Sequence, residues 1–181
     1  MVTDIDAKSN TGARAYKFPQ LQFPLKDPNW VWEKVAWRSN ERSVDNLHSL
    51  LYKAYNDGRL NMARKLGKLL LKSSGNIILS VRRVTQDNKG KKTAGIDGKK
   101  SLDTTARKEL VEEIIELSKR KWKDYKARPI RRVYIPKTPL KKRPLGIPII
   151  KDRVVQCCVK AALEPYWEGQ FDTNSYGFRP A

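Results

Sequence analysis

Arg131-Arg132-Val133-Tyr134-Ile135-Pro136-Lys137 and Lys141-Lys142-Arg143-Pro144-Leu145-Gly146-Ile147-Pro148 are two short extended runs on either side of a basic turn. Their patterning predicts a hairpin with strands over 130–136 and 143–150 and a turn at 138–142. Pro136, Pro144 and Pro148 lack the amide hydrogen a ladder needs, which restricts these strands to edge or irregular positions. The expected product is a mobile, partly exposed hairpin that sets several cations on one small surface. That device suits a phosphate-rich ligand.

On the C-terminal side, Lys151 to Ala162 has the period of a helix, with Val154, Val155, Cys158, Val159 and Ala162 on one face. Asp152 stands at the helix start, where capping is the simplest task for a carboxylate. Pro165 interrupts or kinks this pattern, and residues 171–181 read as loop. On the N-terminal side, Asp103 or Thr104 caps a helix to Arg120, with Leu110, Ile114 and Leu117 inward. The acid pair Glu112-Glu113 lies on that helix, where neighbours point about 100° apart, so it reads as a solvated face rather than a chelate.

Residues 1–26 are polar, broken by Gly12, Pro19 and Pro24, and are expected to form a flexible tail. Asp27-Pro28 can begin a helix with Trp30, Val31, Val35 and Trp37 as its stripe, the tryptophans serving as core. A second helix follows from Val44, Leu47, Leu50, Leu51, Ala54 and Tyr55 and ends at Gly58. A third, over 59–72, carries Leu60, Ala63, Leu66 and Leu69 to Leu71. Ser73-Ser74-Gly75 breaks the chain before another helix from Asn76 to Gln86, with Ile77, Ile78, Val81 and Val84 inward and Arg82 and Arg83 outward. The loop from Asp87 to Gly98 holds three glycines and Lys89, Lys91 and Lys92. It reads equally as a ligand-approaching loop or a solvated linker.

The 181 residues suffice for a real core, and 38 Lys and Arg against 19 Asp and Glu give a net charge of +19. Such an excess opposes folding by self-repulsion unless a polyanion is the usual partner, and nucleic acid is the leading candidate. A merely soluble basic protein is the alternative. No apolar run approaches a membrane span and the start is acidic, so no membrane partner and a soluble, cytoplasmic protein are expected. Adjacent Cys157 and Cys158 rarely bridge and have no zinc spacing. They read as reduced residues packed in a helix. The single histidine, His48, excludes His-pair metal sites and reads as a surface or partly buried residue.

In order along the chain stand Val81-Arg82-Arg83-Val84-Thr85, Thr93-Ala94-Gly95-Ile96-Asp97-Gly98, Arg132-Val133-Tyr134-Ile135-Pro136-Lys137, Arg143-Pro144-Leu145-Gly146-Ile147-Pro148, Lys151-Asp152-Arg153 and Ser175-Tyr176-Gly177-Phe178-Arg179-Pro180. Together they resemble the N-terminal portion of group II intron-encoded reverse transcriptases, or maturases, from Trp30 to Pro180. The resemblance implies an α+β, mainly helical fold: N-terminal helices, then a basic β-hairpin and helix like the fingers of a right-hand polymerase, ending at the start of the palm. It divides the chain into the tail over 1–26, a helical N-terminal domain with the basic loop over 27–100, and fingers over 101–181. It implies that Arg131, Lys137 and Arg143 grip the triphosphate of an incoming nucleotide. Strand alternation can set Arg131 and Lys137 on one face. It also implies RNA or template contacts from Arg82, Arg83, Lys89, Lys91 and Lys92. The partners implied are intron or template RNA, with DNA as a further candidate.

Nucleotide transfer needs two divalent metals held by clustered carboxylates. The sequence has no Asp-Asp pair, so no catalytic residue and no metal site are assigned. No cofactor is expected for this chain, and Mg2+ only if a palm is supplied. The favoured expectation is a truncated reverse transcriptase, inactive alone as an RNA-directed DNA polymerase but retaining RNA- and nucleotide-binding fingers. The alternatives are a non-enzymatic RNA-binding splicing factor, and one part of a split enzyme completed by a palm-bearing chain.

Overall fold

The structure, a computed structural model, describes residues 29–138, 141–171 and 174–175. The expected tail, the Asp27-Pro28 helix start and nearly all of the expected C-terminal loop lie outside these residues. Five helices and one hairpin follow in chain order: α1 (Trp37–Asn56), α2 (Leu60–Lys72), α3 (Ser74–Arg82), α4 (Thr104–Lys119), β1 (Arg131–Thr138), β2 (Lys141–Ile147) and α5 (Ile150–Gln170). The fold is α+β and mainly helical, as the sequence predicts.

Two apolar clusters share α5. Val44, Leu47, Leu51 and Ala54 of α1 close on Ala63, Leu66 and Leu70 of α2, with Ala162 of α5. Ile77, Ile78 and Val81 of α3 meet Val111, Ile114 and Ile115 of α4 and Ile150, Val154 and Cys158 of α5. The periodic stripes read from sequence are mostly core faces, but Leu60 of α2 and Val159 of α5, expected inward, are exposed, and in α4 Val111 and Ile115 are buried and Leu117 only half so. Burial pushes the Cys158 thiol up to about 12, and both cysteines are free.

The Ser73-Ser74-Gly75 break is a tight joint rather than a loose one. Ser73 accepts the Asn76 amide through its hydroxyl at 3.4 Å and so caps α3. Gly75 sits where an added Cβ would lie 3.2 Å from Asn40 Oδ1, so α1 crosses close above it. Asn76 is 2% exposed, and its amide nitrogen donates to the carbonyls of Leu70 (3.1 Å) and Cys158 (3.3 Å), tying α2 and α5 to α3. Asp103 caps α4 as expected, accepting from the Ala106 amide at 2.8 Å.

The entry to the fold differs from the expected helix. Trp32 to Lys34 form one 3-10 turn, and α1 begins only at Trp37. Trp30 and Trp32 are buried while Val31 is exposed, so the stripe runs through a different set of residues. Each tryptophan here is covered by a cation from elsewhere: Arg82 over Trp37 at 4.7 Å, Arg107 over Trp32 at 5.7 Å and Lys108 over Trp30 at 5.6 Å. Trp30 also donates its indole N–H to Glu112 at 3.2 Å, so the acid of that pair is an acceptor for the core rather than purely solvated.

Pro165 does not end α5, which runs on to Gln170 with the proline buried. Val159, Leu163 and Trp167 of α5 and the following Phe171 recur every four residues and are all exposed, an apolar ridge along the outer side of the helix.

Candidate nucleic-acid interface

The two strands pair antiparallel from Arg131 opposite Ile147 to Thr138 opposite Lys141, longer toward the tip than the sequence pattern suggests. Pro139 and Leu140 lie outside the described residues. Almost every residue of the hairpin is exposed, and Ile147 alone among its paired residues is buried. Register fixes the two faces. Residues opposite one another share a face, so Arg131, Val133 and Ile135 stand with Ile147, Leu145 and Arg143. Arg131 and Arg143 thus lie on one face, about 13 Å apart along the strands.

Lys137 is different. Pairing passes from Pro136 opposite Lys142 to Thr138 opposite Lys141, which leaves Lys137 as the extra residue of a β-bulge. The alternation that would place it beside Arg131 stops there, and Thr138 takes the next position on that face. From Tyr125 to Lys151 the sequence has no Asp or Glu, so the hairpin's cations are not neutralised by any acid of their own segment.

A short linker from α4 roots the hairpin. Lys121 and Trp122 both have positive φ (57° and 61°), a conformation costly for residues with a Cβ. Trp122 donates its amide to the Leu117 carbonyl at 2.9 Å, and its ring packs against the α3–α4–α5 core, which holds the turn. Beyond it, Tyr125 donates its hydroxyl to Asp152 at 2.8 Å and the Arg128 amide donates to the same carboxylate at 2.9 Å. Asp152 is 3% exposed and does not cap α5; Ile149 holds the cap position without a side-chain bond. The carboxylate sits in the first turn of α5, where the helix dipole favours it, and faces the linker instead.

Burial, then the bond to Asp152 and its charge, push the Tyr125 phenol from 10.0 up to about 12. Because the folded state holds this proton more tightly than the unfolded chain, the stabilisation is full below pH 10 and fades as pH rises toward about 12. Urea unfolding across that window should show Tyr125→Phe losing stability less steeply with pH than the parent. Parallel curves would remove Tyr125 as a source of that dependence.

Arg153, the next residue, holds the basic loop. Its guanidinium donates to the carbonyls of Gly90 (3.1 Å) and Thr93 (2.7 Å), and burial lowers its pKa. Ala94 and Gly95 are buried behind this clamp. A Cβ on Gly95 would lie 2.7 Å from Ile149 Cα, so this glycine admits the chain's own backbone rather than a ligand. Gly98 supplies a turn with φ of 71°. The loop is therefore ordered on α5, with Lys89 and Lys92 exposed and Lys91 donating to the Gln86 carbonyl at 2.6 Å.

The arginines before the loop divide as well. Arg82 lies over Trp37 and pairs with Glu41 at 3.2 Å and Asp87 at 3.7 Å, so much of its charge is engaged within the chain. Arg83 is exposed at the start of a π-helical turn, Arg83–Asp87. The structure thus brings Arg131 and Arg143 to one surface and Lys89 and Lys92 to another element held by the same first turn of α5. Asp152 and Arg153, which hold those elements, were not legible as such from sequence.

Among the described residues no group of three or more His, Cys, Asp or Glu could hold a metal ion. Asp152, the acid nearest the hairpin root, is committed to Tyr125 and Arg128. These residues do not fit a two-metal site, and no step through Mg2+ is derived from them. Among the described residues no helix is long and apolar enough to cross a membrane.

Residues 32–114, which run from just before α1 into α4, match the N-terminal domain of reverse transcriptase. The chain is 46% identical over 101 residues to Protein YkfC of Escherichia coli, covering 54% of this chain and 26% of that protein. It is 42% identical over 97 residues to the group II intron-encoded protein LtrA of Lactococcus lactis, covering 51% and 15% respectively. It is 31% identical over 154 residues to Maturase-like protein 1 of Euglena gracilis, covering 83% and 31%. The chain thus spans less than a third of the length of each of these relatives. The match to the domain and the likeness to intron-encoded and maturase-like proteins agree, and this chain resembles the N-terminal portion of group II intron-encoded reverse transcriptases and maturases.

Proposed function

We propose that this chain grips RNA, intron or template, through the exposed lysines of its basic loop and the cations of its hairpin. In the same reading Arg131, Lys137 and Arg143 hold the triphosphate of an incoming nucleotide once a palm supplies the metal-binding carboxylates. The observation that carries it is the hairpin: an exposed, self-contained ribbon with no acid between Tyr125 and Lys151. Arg131 and Arg143 are long enough to converge from one face on a single polyphosphate, Arg as a planar fork, while the bulge gives Lys137 its own direction as a compact charge.

RNA binding should fall steeply as salt rises, because each phosphate contact releases counterions. Fluorescence anisotropy of a labelled RNA at several salt concentrations tests this. Replacing Lys89, Lys91 and Lys92 together with alanine should make the slope shallower, with Lys89 and Lys92 responsible for most of the change. Affinity that barely responds to salt would end the reading.

A second reading has its own observation. The ridge of Val159, Leu163, Trp167 and Phe171 is a surface on which a palm-bearing segment or chain could pack. Under that reading the chain supplies fingers to a catalytic unit.

A further inference from the structure

The face of the hairpin opposite Arg131 and Arg143 carries a different chemistry. Register sets Arg132, Tyr134 and Pro136 there, opposite Gly146, Pro144 and Lys142. Tyr134 is 59% exposed, a high value for an aromatic ring in the middle of a paired strand. Its direct neighbour across the ladder is the low ring of Pro144. Beyond that, Gly146 contributes no side chain, and Ile130 lies over it so closely that a Cβ would come within 2.4 Å of the isoleucine's terminal methyl. Arg132 stands on the same face two residues along the strand from the ring, and Lys142 stands diagonally across the ladder from it.

We propose that this face is a stacking platform for an unpaired base of single-stranded RNA, with Tyr134 against the base and Arg132 and Lys142 on the flanking phosphates. The inference rests on the RNA binding proposed above and assigns a second, separate role to the same hairpin. A single accessible ring bracketed by cations is the minimal unit of sequence-tolerant single-strand binding. One tyrosine with Ile130 and two proline rings near it offers far less apolar area than docking a folded partner buries. The register also separates the two ligand chemistries: polyphosphate on the Arg131 face, a base with its backbone on the Tyr134 face.

The test uses the full chain with a single-stranded RNA 12-mer carrying 2-aminopurine and with a blunt duplex of the same sequence. Tyr134→Leu should bind the single strand about tenfold more weakly and lose the fluorescence quenching that stacking gives, with an unchanged salt slope. Tyr134→Phe should retain both affinity and quenching. Arg132→Ala should weaken binding and make the slope shallower. Duplex binding should be the same for the parent and both Tyr134 variants, and serves as the control for folding. If Tyr134→Leu binds and quenches like the parent, or if Tyr134→Phe is as weak as Tyr134→Leu, the platform is wrong while RNA binding stands. If the parent binds neither RNA, the broader RNA-binding reading falls and takes the platform with it.

Discussion

Replacing Asp152 with alanine is expected to cost the fold about 2 kcal/mol, because two part-buried donors lose the buried acceptor they share. The half-buried Tyr125 hydroxyl and the amide of the exposed Arg128 would then depend on water for a partner. The first turn of α5 would also lose the negative charge its dipole favours. Asp152→Asn should fall between the parent and the alanine variant. Its one amide oxygen can accept one donor, but its NH2 group then opposes the other. Urea unfolding followed by tryptophan fluorescence measures the difference. A loss below about 1 kcal/mol for the alanine variant would mean that the carboxylate does not hold the linker as described. The expected effect extends to function: with the linker released, the root of the hairpin is no longer fixed, and the cations at its tip are presented in many orientations rather than one.

Gly95→Ala should be similarly damaging for an opposite reason, too much matter instead of too little. The new methyl would sit 2.7 Å from Cα and 2.8 Å from the nitrogen of Ile149. Those are backbone atoms at the start of α5, and neither can swing aside as a side-chain tip could. Relief requires the loop to lift from the helix, which strains the hold of Arg153 on the Thr93 carbonyl. An overpacking cost of about 3 kcal/mol is expected. Gly90→Ala is the matched control. It lies in the same loop, under the same arginine, but an added Cβ meets nothing within 4 Å, so stability should change by less than about 1 kcal/mol. Equal stability of the two variants would show that residues 93–95 are not pressed against α5.

Features carried by local pattern were legible in the sequence, and those carried by distant partners were not. The helical stripes, the Asp103 cap and the paired strands each depend on residues a few positions apart, so spacing alone reveals them. Asp152 looked like a cap because its neighbours allow one. Its actual partners, Tyr125 and Arg128, approach through a left-handed turn at Lys121 and Trp122 that carries no glycine to announce it. Arg82 looked like an outward base, yet a tryptophan on α1 and two acids claim it. The lysines of the loop were visible, but not that Gly95 serves the chain's own packing. The bulge at Lys137 escaped because a single extra residue in one strand shows only when the other strand is laid beside it.

Asp152 and Arg153 are consecutive on α5, and consecutive helical positions point about 100° apart. One carboxylate and one guanidinium therefore reach in different directions, to the hairpin root and to the basic loop, from a single turn. A residue inserted between Arg153 and the buried Val154 would turn both anchors by that angle against the core at once. Surface loops of this chain can drift in length over evolutionary time, since lengthening a loop costs little. This one turn cannot. Its length should stay constant among descendants of this sequence that keep the hairpin and the basic loop in place, even where the residues around it are replaced.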